Sequence, residues 1–257
     1  MEKIKYVISM LLVVVLLASC SDKKNNPTEP DNTDNTIQNK SGQPIPAFEG
    51  TNVGGVMATI SYEFASFPSL PPVSITMGFS QFGDKGVDAG VVTVNGSSLG
   101  KITQSGYTYY MVPDPSNPLG TLSNVYFDGS AHNWSVSGGN GVPALSGGVT
   151  SPTSYDIIAP ASNATVSAAS GLTVSWNGGS SSKVLVYLIS LSSSGKAVFS
   201  QDLADDGSHT FSASEMAGIT GQVMIQVVKY KYNEIASGGK SYYAVAEIVK
   251  SVNATIQ

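Results

Sequence analysis

The sequence predicts an all-β fold made of two tandem β-sandwich domains, which follow an N-terminal signal peptide and a disordered tether. Two observations predict this fold class. β-Branched and aromatic residues recur in short runs, and turns containing glycine, asparagine or aspartate separate the runs. Charged residues make up only 12% of the chain, which is typical of sheets with one buried face and many turns. About 240 residues after the signal peptide are enough for one or two cores.

The N-terminus has the features of a secretory signal. Lys3 and Lys5 precede an apolar run, YVISMLLVVVLLA, whose one polar residue is Ser9. At about a dozen residues this run is too short for a transmembrane helix, which needs about twenty. The run ends at Leu17-Ala18-Ser19-Cys20, and Cys20 is the one cysteine of the chain.

The segment Leu17–Cys20 resembles the lipobox of bacterial lipoproteins. The resemblance implies that residues 1–19 are removed, that the Cys20 thiol carries a diacylglycerol and that the new amine is acylated. Two acyl chains bind a membrane stably where one binds marginally, so the lipid would be a permanent membrane anchor. Ser21 is compatible with sorting to the outer membrane. Two points stay open: whether the protein faces the cell surface or the periplasm, and the alternative of an ordinary signal peptide with an unrelated cysteine.

Residues 20–46 are predicted to form a flexible tether between the lipid and the folded part. From Ser21 to Pro46 the segment contains four prolines, many Asn, Asp and Thr residues, and one aliphatic residue before Ile45. Such a segment cannot bury enough apolar surface to offset the entropy lost on ordering.

Residues 47–150 are predicted to form a β-sandwich of no assigned family. Strands are expected where apolar and polar residues alternate, at Val53–Phe64, Pro71–Phe82 and Gly106–Val112. Asn95-Gly96 is a strong hairpin signal, and Ser123–Val136 are predicted to form a second hairpin. The glycine-rich segment Ser137–Pro152 is the predicted domain boundary.

Residues 151–257 are predicted to form the second sandwich. A strand from Leu172 to Trp176 is followed by Lys183–Leu191, which is apolar on both faces and so typical of a central strand. Two closing strands, Gln222–Tyr232 and Ser241–Val252, are expected on either side of an eight-residue loop, Asn233–Lys240. This half resembles a fibronectin type III or immunoglobulin-like sandwich. The resemblance implies two facing sheets with Trp176 in the core.

Composition argues against several function classes. The chain has no arginine and a net charge of −5, so it offers no basic surface to nucleic acid. His132 and His209 lie one in each half with no cysteine or histidine nearby, which argues against a zinc site. The sequence contains no Gly-x-Ser-x-Gly, phosphate-binding glycine loop or dinucleotide fingerprint.

Paired carboxylates do occur, but in positions that favour a backbone role. Asp84 with Asp88, and Asp205 with Asp206, lie in glycine-flanked turns where aspartate is common. We therefore predict a protein that is not an enzyme and that has no cofactor and no metal. A calcium ion in the loop Gly83–Gly90 is a minor alternative.

Aromatic side chains are the first candidates for a ligand surface. Tyr107 and Tyr109 share one face of their predicted strand, and His132 and Trp134 share a face of the later hairpin. Such rings could stack on sugar rings or peptide side chains. The alternative for each is packing in the core, and for Trp176 core packing is the prediction.

Loops are the second candidates. The resemblance to an immunoglobulin-like sandwich implies that the loop beginning at Asn177 and the loop carrying Asn233 and Glu234 lie at the same end, where related folds carry recognition. A tethered tandem sandwich resembles glycan-capturing and adhesive surface lipoproteins. We therefore expect a membrane-anchored, non-catalytic binding or adhesion module, with glycans as the leading ligand class. The alternative is a structural, protein-binding component of an envelope assembly that faces the periplasm.

Overall fold

The computed structural model describes Phe48 and residues 52–64, 73–177, 182–191 and 196–257. The first eight strands are β1 (Val53–Phe64), β2 (Val73–Phe82), β3 (Val92–Val94), β4 (Ser97–Ser98), β5 (Gly100–Gln104), β6 (Tyr107–Val112), β7 (Ala131–Val136) and β8 (Leu145–Thr150). The next eight are β9 (Ile157–Ala159), β10 (Ala164–Val166), β11 (Leu172–Trp176), β12 (Lys183–Ser190), β13 (Ala197–Ala204), β14 (Ser208–Phe211), β15 (Gly221–Ser237) and β16 (Lys240–Ile256). A 3-10 turn, Ala168–Ser170, precedes β11.

These strands form three sheets. The largest has the order β13-β12-β15-β16-β1-β2-β6-β5, with β10 also paired to β16, and the small sheets have the orders β4-β3-β7-β8 and β14-β11-β9. Both small sheets pack on the same face of the large one, because even-numbered residues of β16 enter first one core and then the other. Each small sheet thus forms a β-sandwich with part of the large sheet, and the predicted all-β fold with two sandwiches is confirmed.

The hairpin of β15 and β16 is the longest element of the fold. Each strand has 17 residues, and their pairing runs without interruption from Gly221 opposite Ile256 to Ser237 opposite Lys240. Gly238 and Gly239 make the turn with φ of 59° and 74°, the positive values that a two-residue hairpin turn requires. The predicted eight-residue loop at 233–240 is therefore wrong, because all but two of its residues continue the ladder.

The two ends of this hairpin belong to different sandwiches. Near Gly221 the hairpin pairs with β12 of the second half, whereas β1 of the first half pairs in parallel with Ser241–Lys250. Tyr242, Ala244 and Ala246 complete the core of the first sandwich. The boundary predicted between residues 150 and 151 separates two stretches of chain, but the first core is closed by residues of the second half.

A buried polar cluster lies where the two cores meet. Lys229 is 2% exposed, and its Nζ lies 2.9 Å from the carboxylate of Asp205 and 4.9 Å from the centre of the Tyr155 ring. Asp205 also accepts a 2.7 Å hydrogen bond from Nε1 of Trp176, which is buried as predicted. The hydroxyl of Tyr155 donates to the backbone oxygens of Val227 and Ile248, one on each strand of the hairpin. These bonds offset the cost of burying an ion pair.

The shared hairpin predicts that the two cores unfold together. Tyr242→Ala should lower the free energy of unfolding by about 3–5 kcal/mol, because it leaves a cavity beside a strand common to both sandwiches. Trp134 lies in the first core and Trp176 in the second. Fluorine NMR of fluorotryptophan-labelled protein therefore follows the two cores separately during thermal unfolding.

We expect one midpoint for both tryptophans, and an equal downward shift of both in the Tyr242→Ala variant. Tyr126→Ala is the matched control, because Tyr126 is 62% exposed and should leave both midpoints in place. A shift of the Trp134 signal alone would contradict the shared-core account.

Candidate ligand-binding face

The second face of the nine-stranded sheet carries a third apolar cluster. In the part of the chain that the structure describes, both small sheets lie on the opposite face and no sheet covers this one. Its buried members come from five adjacent strands: Val56, Ala58, Ile60, Tyr62, Phe79, Leu185, Val228, Tyr230, Val245 and Val249. Half-buried side chains pack around them, among them the rings of Phe48, Tyr109, Tyr187 and Tyr243.

Strand register aligns four of these positions in a single row across the sheet. Val56 pairs with Tyr243 on one side and with Gln81 on the other, and Gln81 pairs with Tyr109. We call Tyr243, Val56, Gln81 and Tyr109 the tyrosine row. Neighbouring strands lie about 4.8 Å apart, so its two tyrosines are separated by roughly 14 Å. Both are half-buried and can be reached from solvent.

Gln81 lies inside the tyrosine row with an unused amide. The residue is fully buried, and neither Nε2 nor Oε1 has a hydrogen-bond partner among the described residues. A buried polar group without a partner costs about 1–3 kcal/mol, and such groups are rare in native proteins. The amide can both donate and accept, so it is suited to a partner that has hydroxyl or amide groups.

The tyrosines around the row keep their hydroxyl protons. Burial, followed by the charge of nearby Tyr109, raises the pKa of Tyr107 to about 12. Burial, followed by the charge of Glu234, also raises the pKa of Tyr243. These rings therefore present neutral hydroxyl groups that donate and accept hydrogen bonds at physiological pH.

The ring of Tyr243 is stacked on the ring of Phe48, which shows that its face can contact another planar group. The two ring centres are 4.2 Å apart with an interplanar angle of 7°, and Phe48 also meets Tyr232 edge-on at 5.1 Å. Tyr232 itself is 42% exposed. Stacked and edge-to-face contacts of this kind are the usual ways in which aromatic side chains bind planar or apolar faces.

Glu247 is a second unused polar group on the same face. It lies four residues beyond Tyr243 on β16, between Tyr230 and Ile60. It is fully buried, and both carboxyl oxygens are without a partner among the described residues. Burial raises the pKa of Glu247 well above its ordinary value, so the carboxyl is neutral and can donate its proton in a hydrogen bond.

The face brings together three of the residues singled out in the sequence. Tyr107 and Tyr109 have ring centres 6.1 Å apart at one end of the tyrosine row. Glu234 pairs with Tyr243 at the other end and accepts a hydrogen bond from Ser241.

His132 and Trp134 do not join this face. His132 is fully buried, with Nδ1 2.6 Å from Oγ1 of Thr59 and Nε2 2.9 Å from the backbone oxygen of Tyr126. Trp134 is 2% exposed in the first core. The hypothesis of an accessible His132–Trp134 platform is therefore wrong, since the alternating side of β7 that carries both residues packs inward.

Residues 178–181 of the predicted loop at Asn177 lie outside the described residues, and Asn177 itself does not meet Asn233. The backbone oxygen of Asn177 accepts a 2.9 Å hydrogen bond from Lys229 at the polar cluster. Asn233 points to the opposite sheet face and donates to the backbone oxygen of Gly148 at 2.6 Å. The hairpin tip lies eight residues beyond Lys229, roughly 26 Å away along the strand, because β15 continues where a loop was expected.

Sequence reasoning missed Gln81, Tyr243 and Glu247. Strand alternation alone places Tyr243 and Glu247 on the same face, and a glutamate inside the apolar run AVAEIV was a further signal. Nothing in the sequence pairs Gln81 with Tyr109, because that contact depends on the register of β2 against β6.

Asp88 and Asp205, one from each carboxylate pair considered for catalysis or calcium, have side-chain partners. Asp88 lies 2.9 Å from Nζ of Lys101 and accepts from the hydroxyl of Tyr110. The hydrogen bond from Lys101, followed by that from the backbone of Gly90, lowers the pKa of Asp88 to about 2. Among the described residues, no three or more His, Cys, Asp or Glu side chains are grouped as a metal site would require. Cys20 and the tether lie outside the described residues.

Comparison with known proteins gives no family. No protein-family model matches the chain, and no curated protein matches its sequence. The chain is similar to the two immunoglobulin domains of DIP-gamma, with 9% identity over 79% of this chain and 95% of that chain, at a TM-score of 0.22. It is also similar to a Ca²⁺-stabilized adhesin with which an Antarctic bacterium binds ice, with 13% identity over 80% of this chain and 50% of that one, at a TM-score of 0.21. Both matches are too distant to support a function.

Across the described ranges, no helix is long and apolar enough to cross a membrane.

Glu247 predicts that stability falls as the pH rises. The folded state keeps a proton that the unfolded state releases above about pH 4.5. The stabilising effect of that proton is therefore complete below this pH and is lost as the pH rises toward the raised pKa. Glu247→Gln should flatten this slope in urea unfolding measured across neutral and alkaline pH. The exposed Glu234→Gln is the control and should keep the wild-type slope; equal slopes for the Glu247 variant and wild type would refute the assignment.

Proposed function

We propose that the protein is a lipid-anchored, non-catalytic binding module of the bacterial outer membrane that captures glycans on the tyrosine row. The observation that carries this proposal is the amide of Gln81, which lies between Tyr109 and Tyr243 and has no hydrogen-bond partner in the part of the chain that the structure describes. A sugar combines an apolar ring face with hydroxyl groups. The tyrosine rings match the first and the Gln81 amide matches the second.

Ligand binding would satisfy a polar group that the free protein leaves without a partner among the described residues. A hydroxyl that reaches Gln81 recovers a hydrogen bond whose loss costs about 1–3 kcal/mol. Tyr109 and Tyr243 are accessible, so a ligand meets these rings first and reaches the amide between them. The stacked position of Phe48 on Tyr243 is the contact that a sugar ring would replace.

The non-catalytic role is part of the proposal and rests on how the chemically active groups are used. Both nitrogens of His132 are held by Thr59 and Tyr126 in a buried position. Asp205 is engaged by Lys229 and Trp176, and Asp88 by Lys101. Hydrolytic mechanisms need a nucleophile beside a free base or two placed carboxylates.

A periplasmic structural role is the second candidate. β13 is an edge strand of the large sheet. The side chain of Phe199 on this strand is 55% exposed, and its ring centre lies 5.3 Å from the ring centre of Tyr187. An open strand edge with an exposed ring suits the addition of a strand from another protein. This site lies on the same face of the sheet as the tyrosine row but at the β13 edge, with β12 and β15 between them, so the two candidates can be separated by mutation.

Gln81→Leu tests the proposed binding site. It removes the amide at nearly constant volume, so it should leave the free protein as stable as wild type or more stable. It should weaken binding of a glycan selected on an array by roughly tenfold or more, since about 1.4 kcal/mol corresponds to a factor of ten. Calorimetric titration and urea unfolding measure the two effects, with Tyr126→Ala as the exposed control. A Gln81→Leu variant that binds the same glycans with wild-type affinity would contradict the proposed binding site.

Cys20→Ser tests the anchor. Without the thiol there is no acceptor for the lipid, so the variant should move from the membrane fraction to the soluble fraction. A variant that still pellets with membranes after a high-salt wash would contradict lipidation at Cys20.

In cells with the wild-type anchor, a C-terminal tag that an added protease removes from intact cells supports surface capture. A tag lost only after lysis favours the periplasmic role.

A further inference from the structure

Two polar groups that have no partner within the described ranges lie on one face at a defined separation. Gln81 and Glu247 are two strands apart across the sheet and four residues apart along it, as the pairings of Val56 with Gln81 and of Ile60 with Glu247 show. With about 4.8 Å between strands and about 3.3 Å per residue, the two side chains start roughly 16 Å apart. A single small ligand could not contact both.

The line between them crosses the smallest side chain of the cluster. Ala58 pairs with Phe79 on one side and Val245 on the other, which places it midway between Gln81 and Glu247. Larger side chains stand on both sides of this line: Tyr243 and Val245 on one, Phe79 and Ile60 on the other. We call this diagonal the trough: its two ends are polar, its middle is the small Ala58, and all three side chains lie buried below their larger neighbours.

We propose that this trough binds an elongated, neutral glycan chain, with Gln81 as one hydrogen-bonding contact and Glu247 as the other. This inference rests on the proposed function and specifies its ligand. The amide and the protonated carboxyl each donate and accept, so each matches a hydroxyl group. An anionic chain would place charge beside a carboxyl group, and a cationic chain would favour ionisation of a buried acid.

The chain enters at the Gln81 end. Gln81, Ala58 and Glu247 are fully buried, so the ligand seats only when the side chains above them change rotamer. Tyr109 and Tyr243 flank the Gln81 end and are half-exposed, whereas Tyr230 and Ile60 beside Glu247 are fully buried. A short ligand therefore engages Gln81 alone, and only a long one reaches Glu247.

The test uses the mature full chain and a length series of neutral oligosaccharides, from disaccharides upward, of glucan, mannan, xylan and galactan. Affinity is measured by calorimetry for wild type, Gln81→Leu, Glu247→Leu and Glu247→Gln. We expect wild-type affinity for the bound series to rise with chain length. Gln81→Leu should lower the affinity for oligosaccharides of every length about tenfold. Glu247→Leu should lower the affinity for the long oligosaccharides alone, by a similar factor. Glu247→Gln should keep most of the affinity, because an amide also donates and accepts hydrogen bonds.

The outcomes separate this inference from the proposed function. If Gln81→Leu loses binding while Glu247→Leu binds long chains as wild type does, the trough is wrong and the tyrosine row stands. If neither variant changes binding, both are wrong. Binding of extended peptides but of no glycan would also overturn the inference. That result would mean that the trough recognises the donors and acceptors that repeat along an extended peptide backbone. Unfolding curves of Glu247→Leu, expected to be at least as stable as wild type, exclude loss of the fold as the cause.

Discussion

The pairing of β15 with β16 is the interaction on which the rest of the structure depends. Seventeen consecutive residue pairs give this hairpin a length that no single sandwich needs, so one end completes the second sandwich and the other end receives β1. The same strand therefore supplies Ala244 to the first core and Ala254 to the second. Because sheet register moves every side chain together, the alternation along β16 also decides what faces outward: Tyr243, Val245, Glu247 and Val249 all lie on the third face.

This arrangement explains why the protein has one aromatic face rather than two separate ones. Both small sheets cover the same side of the large sheet, so the other side runs uninterrupted from β12 to β6. The polar cluster of Tyr155, Lys229 and Asp205 strengthens the junction on the covered side, where these groups bond to one another, to Trp176 and to the backbone. Single buried atoms without a partner among the described residues occur there at Ser80 Oγ and Trp134 Nε1, whereas on the third face the whole Gln81 amide and the whole Glu247 carboxyl have none. Proteins satisfy buried polar groups wherever stability alone decides, and exceptions of this kind concentrate at functional sites.

Local sequence signals predicted the elements better than their assembly. Alternation located β1 and β6, and the run Leu172–Trp176 with its buried tryptophan marked the second sandwich. The sequence did not predict that β1 lies parallel to β16, because parallel pairing between residues 187 positions apart, such as Gly55 and Tyr242, leaves no local pattern. The same limit applies to the site. Tyr107 and Tyr109 were found as a shared face of one strand, whereas Gln81 and Tyr243 required the register of three further pairings. His132 and Trp134 were misassigned because alternation shows which residues share a face and not which face is buried.

Native-state amide hydrogen exchange along β16 tests the central claim that one hairpin holds both sandwiches and the third face together. The account predicts that amides within Tyr243–Val249, which lie between β15 and β1, exchange only through global unfolding, with the same free energy as amides within Val223–Val228 of the second sandwich. Exchange of the Tyr243–Val249 amides through a separate opening of lower free energy would contradict it. That result would make the first sandwich and its face an independent unit docked on the second.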